Sequence, residues 1–369
     1  MANSATETKP DHVKLFLPGP VEVVPEVLAE MARPMVGHRQ EAYRELHRAV
    51  RSGLQWMFNT KNDFIVSTSS ATGVWESCAR NAVKKGCLQL TNGNFSERWE
   101  ETTRLAGKPL GTYGLEWGLA HKPEEVKKHL ETGKYDAIAI VHSETSAGVM
   151  DPLEELCEVA KQFPDVLIFV DAVSSAATTP IDVDRLGIDV MLVGVQKGFA
   201  CPPGLAFYSL SKKALERSKT VADRGYYFNW EILTKHSGLD ETPATPPIPQ
   251  LRALAKQLER FKAEGLENRW KRHLALAERC RSWALDRGFG LHAEAPHYSI
   301  GLTCVANKRG IDVAGLAKWL LEDRYMAIDQ GYGKIKHKTF RLAHMGDLQM
   351  SDLDGLLAAI DEFISRSGK

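Results

Sequence analysis

The stretch Val166–Gly204, VLIFVDAVSSAATTPIDVDRLGIDVMLVGVQKGFACPPG, decides the fold. It holds two short β-rich apolar runs, Val166–Val170 and Val190–Val195. Asp171 closes the first, and Gln196-Lys197 follows the second. Continuous Val/Ile/Leu runs are what strands of a parallel sheet look like when both faces are covered. In open α/β sheets, ligands bind beyond the carboxyl ends of such strands. An acid and an amine at two of those ends look into one crevice. Taken singly, Asp171 reads equally well as a helix cap and Lys197 as a surface lysine.

Strand and helix patterns alternate on both sides of this stretch. Upstream, Phe64–Ser67 is a strand, and Thr68-Ser69-Ser70-Ala71-Thr72-Gly73 leads into a helix expected from about Val74 to Lys85. A turn of small hydroxyl residues at a helix N-terminus offers N–H groups and a positive dipole end to a phosphate. It also reads as an ordinary Ser/Thr N-cap. Cys87–Leu90 is a second strand, entering a turn and helix through Asn92-Gly93-Asn94-Phe95-Ser96-Glu97-Arg98-Trp99. Phe95 belongs either to the core or to the flat face of an aromatic cofactor. Helices follow at Lys122–Glu131 and Pro152–Gln162, with a strand at Asp136–Val141 that runs into His142–Gly148. Downstream, Gly204–Leu210 reads as a strand and Lys212–Lys219 as a helix. This alternation predicts an α/β fold with a mostly parallel sheet covered by helices on both faces.

Nearer the start, Leu15-Phe16-Leu17 runs into the rigid turn Pro18-Gly19-Pro20, and Pro25 opens a short helix to Met31. Leu46, Val50, Leu54 and Met57 then mark one face of an amphipathic helix. Beyond the Pro-rich loop Thr242–Pro249, long helices broken near Gly265 run to about Arg287. Strand-like runs at Tyr298–Val305, Met326–Asp329 and Thr339–Ala343 alternate with helices at Asp312–Arg324 and Ser351–Ser365. The expected division is an arm at 1–20, a large domain at 21–262 and a smaller C-terminal α+β domain at 263–369. Within the last unit, Arg341 stands inside an apolar strand, a costly position for an unpaired charge. Its planar fork suits a carboxylate. The alternative is a structural bridge to a local acid such as Asp347.

Composition narrows the classes. The 369 residues are 43% hydrophobic and 25% charged, a soluble globular profile. Lys+Arg and Asp+Glu both total 47, so no global field favours nucleic acid or an anionic membrane. Cys78, Cys87, Cys157, Cys201, Cys280 and Cys304 form no metal-binding spacing and read as reduced thiols, and no metal is expected. No apolar run approaches the roughly 20 residues of a membrane span. The N-terminal MANSATETKPDHVK reads as a flexible polar arm without the layout of a secretory signal, and Arg366–Lys369 is no peroxisomal address. The expected location is cytoplasmic.

A lysine and an acid at neighbouring strand ends suit pyridoxal phosphate chemistry, in which the amine forms a Schiff base and the acid keeps the pyridine nitrogen protonated. The ordered set of Pro18-Gly19-Pro20, Gly37-His38-Arg39, Ser69–Thr72, Asn92-Gly93 with Phe95 and Arg98, His142–Gly148, Asp171–Ser175, Gln196-Lys197, Pro202–Ala206, Thr245-Pro246 and Phe340–Gly346 resembles the class V aminotransferases. These are fold type I pyridoxal 5'-phosphate enzymes, and the similarity leans toward the alanine–glyoxylate, serine–pyruvate and serine–glyoxylate group. The resemblance implies that Lys197 bonds the cofactor and Asp171 pairs with its ring nitrogen. It places Ser70, Ala71, Thr72 and Gln196 at the phosphate, Phe95 on the ring and Ser146 near the phenolic oxygen. Thr245 would reach the phosphate of a neighbouring subunit, implying a homodimer with composite sites. Arg341, with the Pro18-Gly19 backbone, would hold the substrate carboxylate. Ser69 and Ala71 replace usual glycines around the phosphate turn, as do Ser96 and Ala343 elsewhere. Phe95 stands where some relatives carry tryptophan.

The implied reaction moves the amino group of alanine or serine to glyoxylate or pyruvate in ping-pong fashion. A lyase or a cysteine desulfurase on the same scaffold is one alternative, although neither Cys201 nor Cys304 is placed as a mobile nucleophile. A non-catalytic cofactor-binding protein is another. Tyr226–Trp230 and Gly331-Tyr332-Gly333 are candidates for shaping side-chain choice, and equally for packing.

Overall fold

A computed structural model describes residues 12–366. The first part of the expected arm, residues 1–11, and the terminal tripeptide 367–369 lie outside the described residues. The main sheet has seven strands: β1 (Asp63–Ser67), β2 (Cys87–Thr91), β3 (Leu110–Gly114), β4 (Ala137–Val141), β5 (Leu167–Asp171), β6 (Val190–Gly194) and β7 (Ala206–Leu210). They lie in the order β1-β7-β6-β5-β4-β2-β3. β7 runs antiparallel to both its neighbours, and the other strands share one direction.

Burial on both faces explains why these runs are strands. Along β4, β5 and β6, Ile138, Ile140, Ile168, Val170, Met191 and Val193 face one core. There they meet Val50 and Leu54 of the helix Glu41–Met57, and Leu254 and Phe261 of the helix Ile248–Glu264. The alternating residues Ala139, Leu167, Phe169, Val190 and Leu192 face the opposite core with Val74, Trp75 and Trp99. Each large apolar side chain so buried contributes about 1.5–3 kcal/mol, more than the differences in local propensity it overrides. The acid and the amine follow the last residues of this two-faced pattern.

The helix after β1 spans Ala71–Ala82, about one turn ahead of the Val74–Lys85 expectation. Its C-terminal limit has a local cause. The carboxylate of Asp136 accepts the backbone N–H groups of Lys84 (3.2 Å), Lys85 (3.0 Å) and Gly86 (3.1 Å), drawing those residues out of the helix. The edge strand β3 escapes the sequence reading because its half-exposed residues and its glycines carry no clean period. A helix at Trp230–Ser237 also goes unpredicted. Asn229 caps it by accepting from the N–H groups of Glu231 and Ile232.

A second, three-stranded antiparallel sheet joins β8 (Gly290–Leu291), β9 (Leu302–Ala306) and β10 (Thr339–Ala343). Its own core gathers Leu276, Trp283, Leu316, Leu320, Phe340, Leu342, Leu356 and Ile360 around Phe16. Phe16 arrives there because Lys14–Leu15 pairs in parallel with Met326–Ala327. The N–H of Ala343 then donates to the Phe16 carbonyl (2.9 Å). Between the helices Ile248–Glu264 and Leu266–Asp286, Gly265 takes φ +81°, a conformation that interrupts the helix at little cost for glycine.

Candidate active site

The loops after β1, β2, β4, β5 and β6 converge on one cleft. Its cavity of about 80 Å³ is lined by Ser70, Ala71, Thr72, Phe95, Gln196 and Lys197 from the sequence-predicted set, with Asp171 at its base. Trp75, Val141, Ser143, Val173 and Ser174 complete the wall. A larger cavity of about 390 Å³ lies between the surface helices bearing Glu45 and Arg252 and contains none of these groups.

Lys197 is buried, and its Nζ donates to Thr145 Oγ1 (3.0 Å) and Ser174 Oγ (2.8 Å). The ammonium also lies 5.0 Å from the centroid of the Phe95 ring. Desolvation holds the amine below the ordinary lysine range, at about 8; Asp171 works against this, and Arg341 adds to it. Asp171 is equally buried. Its Oδ2 accepts from Trp75 Nε1 (2.7 Å) and its Oδ1 from the Val173 N–H (2.8 Å). Burial raises this carboxyl to about 6, against the pull of those donors and of Lys197. At neutral pH the acid is therefore mostly ionised, and a usable fraction of the amine is neutral. Asp171 caps a turn rather than a helix.

Backbone strain accompanies both loops. Ala177 (φ +66°) follows the Asp171 loop and Ala200 (φ +47°) follows Lys197, both fully buried in left-handed conformations that alanine seldom adopts. Gly19, at φ +115°, packs against the lysine side chain. A Cβ there would sit 3.0 Å from Lys197 Cγ, so the Gly19 backbone lies against the stem of this lysine.

Ser70 occupies the N-cap of the helix Ala71–Ala82, yet its side chain makes no capping hydrogen bond. The helix thus presents its first turn to the cavity with hydroxyl and N–H donors, the geometry that favours an anion. Ser146 is placed differently. Its hydroxyl donates to Glu144 Oε1 (2.7 Å) and accepts from the Asn94 N–H (2.9 Å), and it does not line the cavity. Glu144, fully buried, also accepts from the N–H groups of Phe95 (3.0 Å) and Ser96 (2.9 Å), fixing the turn that carries the Phe95 ring. Thr245 is exposed and does not line this cavity.

Arg341 in β10 does not line this cavity but is joined to it through Thr145. Its Nε donates to Asp329 Oδ1 (2.7 Å) and its Nη1 to the Thr145 carbonyl (2.9 Å). The local acid is therefore Asp329. Asp347 instead pairs with the buried Arg269 (3.1 Å), whose Nη2 donates to the carbonyls of Gly198 (2.8 Å) and Gly346 (3.0 Å). That clamp joins the segment after Lys197 to the segment after Arg341. Thr145 joins the two side chains directly, its hydroxyl on the amine and its carbonyl on the guanidinium. Sequence reasoning names the loop holding Thr145 and the one holding Ser174, but not these residues. It misses Trp75, which lies one helical turn beyond Ala71 and so on the same helix face.

A depressed amine and a buried carboxylate lining one cavity are the groups that an imine-forming enzyme needs. The model of the family described as aminotransferase class-V matches residues 6–331. An uncharacterized aminotransferase of Methanocaldococcus jannaschii is 35% identical over 370 residues, covering 98% of this chain and 95% of that one. The serine–glyoxylate aminotransferase of Methylorubrum extorquens is 30% identical over 378 residues, covering 99% and 94%. The crystal structure of an alanine–glyoxylate aminotransferase from Nostoc sp. superposes with a TM-score of 0.91 at 29% identity, covering 97% of each chain. The chain belongs to the class V aminotransferases, a pyridoxal phosphate-dependent family.

The residues present fit that cofactor. The uncapped helix turn at Ser70–Thr72 suits its phosphate, Asp171 its ring nitrogen, Phe95 its flat ring and Lys197 its aldehyde. Among the described residues no group of His, Cys, Asp and Glu is arranged to hold a metal ion, and no helix is long and apolar enough to cross a membrane.

Proposed function

We propose that this aminotransferase binds pyridoxal 5'-phosphate at Lys197 and moves the amino group of alanine or serine to glyoxylate or pyruvate. The Lys197 amine and the Asp171 carboxylate in one cavity, with the Arg341 guanidinium joined to the amine through Thr145, carry this reading. When bound, the cofactor supplies a ring that accepts the electron pair left at the substrate Cα. Lys197, neutral once relieved of its proton, would be the group that takes up and returns a proton at the substrate Cα. Asp171 keeps a proton on the ring nitrogen. Arg341 and the Pro18-Gly19 backbone would fix the substrate carboxylate and so restrict how the substrate is oriented toward Lys197. Ser70, Ala71, Thr72 and Gln196 hold the phosphate, and Ser146 steadies the turn bearing Phe95.

The glyoxylate aminotransferases among the relatives support the choice of substrates. A desulfurase reading lacks a nucleophile. Cys304 lies buried in β9, its thiol pushed up to about 12 by desolvation, and Cys201 is buried as well. A panel of donors against glyoxylate, pyruvate and 2-oxoglutarate tests the assignment; sulfide or ammonia as product, in place of a new amino acid and a keto acid, would overturn it.

The reading extends to a cytoplasmic homodimer whose Thr245 reaches the phosphate of the neighbouring copy. Exposed aromatics support a covered face here: Tyr226 (65% exposed) and Tyr227 (50%) line a hollow with Thr242, Pro243 and Ala244. Separate cores for the two sheets support the division near residues 262 and 263.

Truncating Arg341 to alanine removes the carboxylate anchor and leaves Asp329 without its guanidinium. About 3 kcal/mol, or roughly 100-fold in KM, is the expected loss. The visible absorbance of the bound cofactor should survive, and its disappearance would remove Arg341 from the role of substrate anchor.

The pH dependence of cofactor uptake follows from the position of Lys197. An amine that titrates at about 8 is protonated below that pH and cannot attack an aldehyde. The rate at which apoenzyme captures pyridoxal phosphate should rise about tenfold per pH unit up to pH 8 and level off above it. A rise that continued to pH 10 would show an ordinary, solvated lysine.

A further inference from the structure

We propose that Tyr332 limits the size of the donor's side chain. This rests on the aminotransferase reading above and specifies which amino acids it admits. The Tyr332 ring lies 5.6 Å from the Phe95 ring, and the Arg341 guanidinium carbon stands 5.0 Å from its centroid. Its hydroxyl accepts from Arg98 Nη2 (3.1 Å). One side chain therefore touches the residue over the lysine amine, the residue that holds the carboxylate, and an arginine on the helix Asn94–Leu105. A donor anchored at Arg341 with its Cα near Lys197 has this ring as a neighbour. A methyl or hydroxymethyl group fits beside it, and a branched four-carbon chain runs into it.

The ring has little freedom to retreat. Gly331 takes φ +87°, and a Cβ there would fall 2.6 Å from the Thr339 carbonyl. Gly333 takes φ +48°, with its missing Cβ 3.0 Å from Trp117. Asp329 accepts the Gly331 N–H (2.8 Å) through the same Oδ1 that accepts from Arg341, tying the turn to the anchor. Arg98 holds the outer end. A half-buried ring held at its backbone turn and at its hydroxyl acts as a wall, and a wall that removes one or two methylenes of space discriminates by roughly 10–200-fold.

The test compares cofactor-loaded wild type, Tyr332→Ala and Tyr332→Phe. The readout is the ratio of kcat/KM for leucine to that for alanine. Tyr332→Ala should raise this ratio at least tenfold, whereas Tyr332→Phe, which keeps the ring and loses the contact with Arg98, should leave it within twofold. A second readout avoids turnover: calorimetric affinities for propanoate and 4-methylpentanoate, the same side chains without the amine. Their ratio should shift in the same direction in Tyr332→Ala. If no donor reacts with wild type but the carboxylate ratio moves, the aminotransferase substrates are wrong and the wall stands. If alanine is consumed and both ratios stay within twofold of wild type in Tyr332→Ala, the wall is refuted while the activity stands.

Discussion

Replacing Lys197 with alanine should lower turnover by roughly 10,000-fold and abolish the covalent attachment of the cofactor, seen as loss of its lysine-dependent visible band. The effect is large because one side chain serves as both tether and proton carrier. No neighbour can substitute. Thr145 and Ser174, which accept from Nζ, are hydroxyls far too weakly basic to take the Cα proton at neutral pH. Folding should be little disturbed, since the alanine backbone preserves the hydrogen bond from the Ala200 N–H to the carbonyl at position 197 (2.8 Å). Turnover within tenfold of wild type in this variant would remove the lysine from the chemistry. Added methylamine offers a further check, because a small external base can restore proton transfer without restoring attachment.

Asp171→Asn should cost about 100- to 1,000-fold in kcat, comparable to losing a preorganised electrostatic partner elsewhere in enzymes. Asparagine keeps the shape and an oxygen to accept from Trp75 or Val173. It cannot carry the negative charge that stabilises a protonated ring nitrogen. Lys197 would also lose its nearest stabilising anion, so its amine should titrate still lower than about 8. The pH dependence of pyridoxal phosphate capture by the apo-variant reads that displacement. A fall in kcat with no change in that pH dependence would mark damage to packing rather than to charge. Asp171→Glu should recover only part of the rate, because an extra methylene displaces the carboxylate from the Trp75 and Val173 donors that hold it.

The sheet is largely legible because its strands are saturated with apolar residues. Local pattern is enough for β5, β6 and the helix Lys212–Lys219. It is insufficient for the direction of β7, since a buried strand reads alike whichever way it runs. The same contrast holds at the site. Lys197, Asp171, Phe95 and the Ser70–Thr72 turn end their respective strands, and strand order brings them together. Their partners are another matter. Trp75 lies 96 positions from the carboxylate it binds, and Thr145 lies 52 from the amine. Such pairs depend on which strands become neighbours, and no local period encodes that. Arg341 illustrates the point from the other side: Asp347 is near in sequence, but the β10 register and the Gly331 turn bring Asp329 to it instead.

The pairing of Lys14–Leu15 with Met326–Ala327, and of Phe16 with Ala343, has a consequence for biosynthesis. A ribosome releases the residues that flank Lys197 on one side long before those that complete its other wall. Until residue 343 has left the exit tunnel, Phe16 lacks both its strand partner and the core it enters. A nascent chain that already carries Lys197 therefore still lacks the C-terminal strands against which its N-terminal segment pairs.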